Sequence, residues 1–492
     1  MINPILQRHL WTDFSVHRLL VMPAILGAIF ALGALTVAET LKELWGFLAG
    51  AGLTLFGLIV LVAGTWRACR TVPDQKTNRT WENIRLSSLS SWQLACGELF
   101  GATIYYWYGG LICLLMVAIS TIVSTAAAKN VGDISIILFL AAFLTHTTAL
   151  QLSLSGTGTA EQIRPVSFTA CFILAFIGPL SIQQLLDWNT ATMMAKVHPS
   201  QLPEILPVGW YGLSLSNAQA IILSYALMIV WGLIGLNQTM RRELQMTTPV
   251  MTWIAFVIFC LIYFTGFVFD PNGSTSLARS SFIWPLNMIM WLFTSSFSSL
   301  TFLQKQSGAL LPFAFAFCVS ICFTYFMAFW EPKDIIALRR FRGAMIQKNW
   351  RNLNSLYPRW LASAQISVIV GLIFLGAAYF TSIPNPFVLG VASMLLFMSR
   401  DLGLILLLSL RPRSGRRGVV VYLFALYILL PGLVATAADT SWLYIFLPGQ
   451  TSSWIAATIP PLAQAFLVWF FVRIKWGHTA AVHPDGAELT AA

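Results

Sequence analysis

The chain has 492 residues, 57% of them hydrophobic and only 10% charged, with 19 Trp and 35 Phe. That balance excludes a water-facing globule over most of the length and predicts an all-α, polytopic integral membrane protein. The formal net charge of +11 does not point to nucleic acid, because the basic residues sit in short loops between apolar runs, as cytoplasmic membrane loops do.

The chain opens with MINPILQRHLWTDFSVHR, a mix of apolar and basic residues around Trp11 that predicts a helix lying in the membrane interface. The apolar run that follows is longer than a signal-peptide core and lacks a small-residue cleavage site, so it reads as a retained first span. A span needs roughly 20 apolar residues, and thirteen runs approach that length. They are Leu19 to Val37, Trp45 to Trp66, Gly101 to Val123, Ile134 to Leu154, Val166 to Leu185, Leu213 to Leu236, Val250 to Phe269, Ser281 to Leu303, Leu310 to Phe329, Leu361 to Phe380, Pro386 to Leu408, Val419 to Ala437 and Trp454 to Ile474.

Between the second and third runs the sequence turns polar: DQKTNRTWENIRLSSLSSWQLACGELFGA, from Asp74 to Ala102. Trp81, Ile84, Leu86 and Leu89 among Ser and charged residues predict a short amphipathic helix or two, capped by Thr80 or by the serines from Ser87 to Ser91. The basic residues around it, Arg67 to Arg85, place this loop and the N-terminus on the cytoplasmic side.

Further on, His146 and Gln151 in the fourth run suggest helix-packing hydrogen bonds, with a proton relay as the sharper alternative. Gly46 and Gly50 form a GxxxG in the second run, which reads as close helix packing with a hint of homodimer contact. The stretch from Leu186 to Gly212 faces the opposite side, and its Trp188, Pro207, Trp210 and Tyr211 are candidates for an external gate or an aromatic-anchored loop.

The block from Lys333 to Arg359 carries seven Lys and Arg residues and must also lie inside, yet three candidate runs separate it from Arg241 and Arg242. One of those runs therefore does not cross; Ser281 to Leu303, with Pro285 and a serine-rich second half, is the choice. About 12 crossings with both termini cytoplasmic then satisfy every basic loop. Residues 335–360 repeat the interfacial character of the N-terminus, which suggests two related six-helix bundles, 1–240 and 241–478, followed by a tail, 479–492.

Arg400 and Asp401 interrupt the eleventh run. A charge at mid-membrane costs about 2.5–3.5 kcal/mol, so this pair calls for partners on other helices. With Arg411 and Arg413 in loop 400–418 it is a candidate second coupling element or latch, with a pair snorkelling near the cytoplasmic interface as the equal alternative. The seven cysteines form no CxxC pair, and Cys318 with Cys322 reads as packing. No phosphate loop, nucleotide fingerprint, HExxH or GxSxG is present, which argues against catalysis on this chain.

The polar run, the T-W-E, the R-L-S-x-L-S-x-W core and the small-residue GELFGA entering the next span resemble the permease subunits of ABC transporters of the type-2 exporter class. The matching positions are Thr80, Trp81, Glu82, Leu86, Ser87, Leu89, Ser90, Trp92, Gly97 and Gly101. FWEPKDIIALRR with YPRWLAS, and RDLGLILLLSLRPRSGRRG, resemble longer permeases of this kind. One departure is local: the family places a Gly just before the Thr, as in E-K-G-T, where this chain reads DQKTNRT. The resemblance implies a bacterial inner-membrane permease without its own nucleotide site. It further implies that loop 67–100 is the coupling element, with Thr80, Trp81, Glu82, Arg85, Leu86, Ser87, Leu89, Ser90 and Trp92 as the ATPase-coupling residues. ATP and Mg would sit on a separate ABC ATPase subunit, in two copies. An ion-gradient-driven secondary transporter is the alternative, and a membrane scaffold a third reading.

Overall fold

The computed structural model describes residues 3–37, 40–123, 128–155, 208–266, 311–331, 335–380, 385–409, 422, 425–430, 445 and 453–481. Apart from one short hairpin, the regular structure among them is helical. Among the described residues eight helices are long and apolar enough to cross a membrane, and Met251–Gly266 and Phe313–Phe329 are shorter apolar helices. The chain is a multi-pass α-helical membrane protein. Of the predicted runs, Val166 to Leu185 and Ser281 to Leu303 lie outside the described residues, as does most of Val419 to Ala437.

The chain divides into two compact units, Met1–Val208 with Leu215–Thr248, and Gly209–Ser214 with Pro249–Ala492. The first unit begins with α1, Pro4–Asp13, whose Asn3 side chain caps Ile5 N at 3.0 Å and whose proline occupies the first turn, where no backbone donor is needed. Next comes the span α2, Val16–Val37. The second span is one continuous helix longer than its apolar run: α3, Leu41–Phe56, then a π-helical segment, Gly57–Gly64, then α4, Thr65–Thr77. The polar residues from Arg67 to Thr77, expected in a loop, therefore prolong this helix. They do so because their alternate face is buried: Ala68, Cys69 and Val72 are sealed against neighbouring helices.

A single helical turn, α5, Trp81–Arg85, leads to α6, Ser91–Val123. Ser90 and Gln93 begin α6 with a reciprocal cap: Ser90 Oγ accepts from Gln93 N at 3.2 Å and Gln93 Oε1 accepts from Ser90 N at 3.0 Å. The unit closes with α7, Ala128–Ser155, and α8, Asn217–Glu243, the latter opened by a capping box of Ser216 and Gln219. Among the described residues its core has two larger parts. Phe56, Val60, Leu138 and Ala142 pack in one. Trp81, Leu94, Leu99, Leu150, Leu236 and Met240 pack in the other, beneath the polar turn.

The second unit contains α9, Met251–Gly266; α10, Leu311–Trp330; α11, Ile335–Ile346; α12, Trp350–Leu356; α13, Arg359–Phe380; α14, Asn385–Ser409; a π-helical turn, Ala425–Leu429; and α15, Trp454–Ala481. Phe317, Ile321, Met398, Leu402 and Ile405 form its main core. Hydroxyl groups lock the apolar interfaces: Trp253 Nε1 donates to Ser363 Oγ at 2.8 Å, and Thr324 and Ser367 are hydrogen-bonded at 2.9 Å. The outer rows, such as Ile459, Leu462, Phe466 and Phe470 of α15, remain exposed and suit contact with acyl chains.

The hairpin pairs β1, Val208–Trp210, with β2, Leu213–Leu215. Tyr211 and Gly212 both have positive φ, 46° and 83°, as a two-residue primed turn requires.

Candidate functional site

The polar stretch folds as a compact knuckle whose apolar side chains divide between inside and outside. Trp81 and Ile84 turn inward and are 2% and 6% exposed, while Leu86, at the end of the helical turn, is 85% exposed and Trp92 is 45% exposed. Glu82 and Arg85 pair on the surface at 3.6 Å. Leu89 packs against the inner core, and Ser87 Oγ donates to Ile84 O at 2.6 Å, holding the turn closed. Thr80 does not cap the turn as expected; its hydroxyl donates to Gln75 O at 3.3 Å instead. Trp81, although predicted among the coupling residues, is thus a buried anchor, and the outward apolar contacts are Leu86 and Trp92.

Arg79 has φ 57°, the left-handed conformation that a glycine adopts without strain. Its N–H bonds to Lys76 O at 3.2 Å and the following Thr80 N–H to Gln75 O at 3.0 Å, the double closure that ends a helix at a left-handed residue. The resemblance described above would place a Gly at this position. The sequence departs there while the backbone takes the conformation that Gly favours.

Beneath the knuckle lies a buried carboxylate. Glu98 on α6 is fully buried. It accepts from Arg8 Nη2 at 3.2 Å, from His9 Nε2 at 3.2 Å, and from Gln75 Nε2 at 3.1 and 3.0 Å. Arg8 and His9 belong to α1 and Gln75 to α4, so one side chain ties the interfacial helix and the helix entering the knuckle to the helix leaving it. Burial works against charge on His9, but the Asp13 and Glu98 carboxylates outweigh it and hold the imidazole above its ordinary value. Asp13 is correspondingly held low, first by His9, with Arg67 and Arg18 adding to the effect. Gly97 and Gly101 make this docking physically possible. A Cβ on Gly97 would stand 2.7 Å from Ile5 Cβ, and one on Gly101 would collide with the His9 ring. Lys76 adds an outer tie to Glu243 of α8 at 3.2 Å and sits 5.9 Å above the Trp81 ring.

A second buried carboxylate lies in the other unit. Asp401 Oδ1 accepts from Arg400 Nε at 2.9 Å, with Arg400 Nη2 at 2.8 Å. Asp401 Oδ2 accepts from Tyr325 at 2.6 Å and from Tyr427 at 2.5 Å. Arg400 Nη1 donates to Gln464 Oε1 at 2.6 Å, and its guanidinium lies 4.5 Å from the Phe397 ring centroid. The partners the pair was expected to need thus come from α10, the turn Ala425–Leu429 and α15. Arg411 and Arg413 lie outside the described residues.

His146 Nε2 donates to Val60 O at 2.8 Å. Val60 lies in the π-helical segment, and a Cβ on Gly64 would come within 2.7 Å of the same nitrogen. Gln151 donates to Gly232 O. Both are the packing bonds predicted. Gly46 and Gly50, in contrast, have open space where a Cβ would stand, so they mediate no close helix approach among the described residues. Of the gate candidates, Trp188 and Pro207 lie outside the described residues. Trp210 Nε1 donates to Tyr263 O at 3.1 Å, Tyr211 N to Gly266 O at 3.0 Å and the Tyr211 hydroxyl to Ile262 O at 2.8 Å. The hairpin thereby satisfies the terminal carbonyls of α9, groups that a helix cannot satisfy itself.

Among the described residues no group of His, Cys, Asp and Glu has the arrangement of a metal site. Comparison with family models, curated proteins and solved structures found no match. The residues that sequence reading missed are Glu98 with Arg8, His9 and Gln75, and Tyr325, Tyr427 and Gln464 around Asp401. The available signal was an acid inside GELFGA, at the start of an otherwise apolar run; the tyrosines carry none.

Proposed function

We propose that this chain is the membrane-spanning permease subunit of an ATP-driven exporter of the ABC type-2 class, working with a separate ATPase subunit that binds ATP and Mg. The observation that carries the reading is the knuckle between α4 and α6. An exposed leucine tip stands on a turn whose tryptophan is driven into the core and whose base is pinned through Glu98. Such an element is stiff along its own axis and apolar at its point, which suits receiving force from a docked protein. Motion of the partner ATPases on binding ATP would be delivered at Leu86 and passed by Trp81 and Glu98 into α4, α6 and α1. The push has effect only to the extent that the ATP-bound ATPase binds two permease states with different affinity.

The test is affinity purification of the tagged chain in mild detergent with assay of copurifying ATPase activity. Leu86→Asp with Trp92→Ser should abolish copurification while leaving the permease monodisperse, because both side chains point outward. An intact chain that brings down no ATPase, or an ATPase retained by the double variant, would overturn the reading.

A further inference from the structure

We infer that helices α11 and α12 form a docking plate for the anionic headgroups of the adjacent lipid leaflet. This goes beyond the export reading and does not depend on it. From Ile335 to Leu356 the sequence carries Arg339, Arg340, Arg342, Lys348 and Arg351 and no acidic residue. Phe341 and Ala344 are buried, and the Phe341 ring packs edge-on against Tyr357 at 5.1 Å between centroids. At 100° per residue, Ile336 and Ile346 fall on the face opposite Phe341, flanked on one side by Arg340 and on the other by Arg342. Ile336 is 55% exposed, Ile346 71% and Trp350 74%. Arg340, Arg342 and Lys348 are exposed too.

This arrangement matches the chemistry of a membrane interface. Apolar side chains with a tryptophan suit the boundary of the acyl chains, and guanidinium groups along the edges suit phosphate. A protein partner of mixed charge would find no acid here to answer its own bases.

The position of the plate supports the same occupant. α10, a shorter apolar helix, ends at Trp330 and the span α13 begins at Arg359, so the plate lies in the chain between two apolar helices. Asn354 O accepts from Val250 N at 3.0 Å, and Glu331 Oε2 accepts from Trp360 N at 3.1 Å. The plate is therefore held at the level where helices leave the bilayer, not carried away from it. The turn between its two helices is fixed by Lys348, with φ 52°.

The test uses the purified full chain in mixed micelles with equal phosphatidylglycerol and phosphatidylcholine, and counts retained lipids by native mass spectrometry. A benzophenone amino acid at the exposed position Gln347 maps the neighbour by photocrosslinking. A basic side chain near an anionic surface is worth about fivefold in binding. Replacing three, Arg340→Gln, Arg342→Gln and Lys348→Gln, should lower the preference for phosphatidylglycerol roughly tenfold or more. The charge-keeping set Arg340→Lys, Arg342→Lys and Lys348→Arg should retain it, and the wild-type crosslink should be to phosphatidylglycerol. An unchanged preference in the glutamine variant, equal retention of both lipids by wild type, or crosslinking to protein alone would overturn the inference.

Discussion

At Asp401 both carboxylate oxygens are already engaged, one by Arg400 and the other by two tyrosine hydroxyls. A metal cation arriving there would have to displace a protein donor, so the cluster ties α14 to α10, to the turn Ala425–Leu429 and, through Gln464, to α15. Asp401→Asn should leave the buried guanidinium unpaired and cost about 3–5 kcal/mol. Adding Arg400→Met should recover much of that loss, both measured by thermal unfolding in detergent. His9 behaves differently because it sits outside the membrane spans and titrates. Its value is raised in the folded chain, so the stabilisation from its charge is complete below the ordinary value of 6.5 and is lost as pH rises through the higher folded value. Hydrogen exchange of residues 4–13 should therefore speed up as pH rises from the ordinary value through the higher folded one, once corrected for intrinsic rates. His9→Gln should remove that dependence. Asp401 with Arg400 was legible as a pair needing partners and Glu98 was not singled out at all; in neither case were the distant donors legible, because they lie 23 to 90 positions from Glu98 and 26 to 76 from Asp401. Pattern reading finds the charge but not its company.

Three helices, α4, α8 and α11, end on a left-handed residue that is not glycine: Arg79, Gln245 and Lys348, with φ of 57°, 59° and 52°. In each the following N–H reaches back to the carbonyl five residues earlier, at 3.0, 2.8 and 3.0 Å. The left-handed conformation costs an ordinary residue about 1–2 kcal/mol, part of which glycine returns through its freer unfolded chain. Arg79→Gly and Gln245→Gly should each raise stability by about 0.5–1 kcal/mol in thermal or chemical unfolding. Arg79→Gly should also leave ATPase copurification intact if the backbone, rather than the guanidinium, shapes the knuckle. On the same scale, Gly101→Leu should expel α1 from its seat and expose residues 4–13 to protease. Of these, α8 was readable from an apolar run of span length and α11 from its interfacial character, while α4 was not read as helix beyond Trp66. Their ends were not legible, because Arg67 to Thr77 look like a loop by composition and become helix through burial of one face.

For the molecule as a whole, apolar run length alone identified a multi-pass α-helical protein, and the eight long apolar helices agree with it. Orientation is a separate matter, carried only by the placement of Lys and Arg. An enzymatic reporter fused after Trp330 should read cytoplasmic, like one inserted at Arg79; a periplasmic signal at the first would restore the thirteenth crossing. The knuckle was legible as an element but not in its polarity, because sequence does not say which of Trp81 and Leu86 faces the core. The π-helical segment in the second span has a consequence on this same scale. A stretch wound at i→i+5 holds surplus backbone, and returning one residue of α-helix to its neighbours moves whatever lies beyond by about 1.5 Å along the axis and about 100° around it. Everything from Thr65 to the leucine tip hangs from that segment. Gly57–Gly64 is thus the place in this span where one residue of register can be taken up, and the bond from His146 to Val60 ties that place to α7.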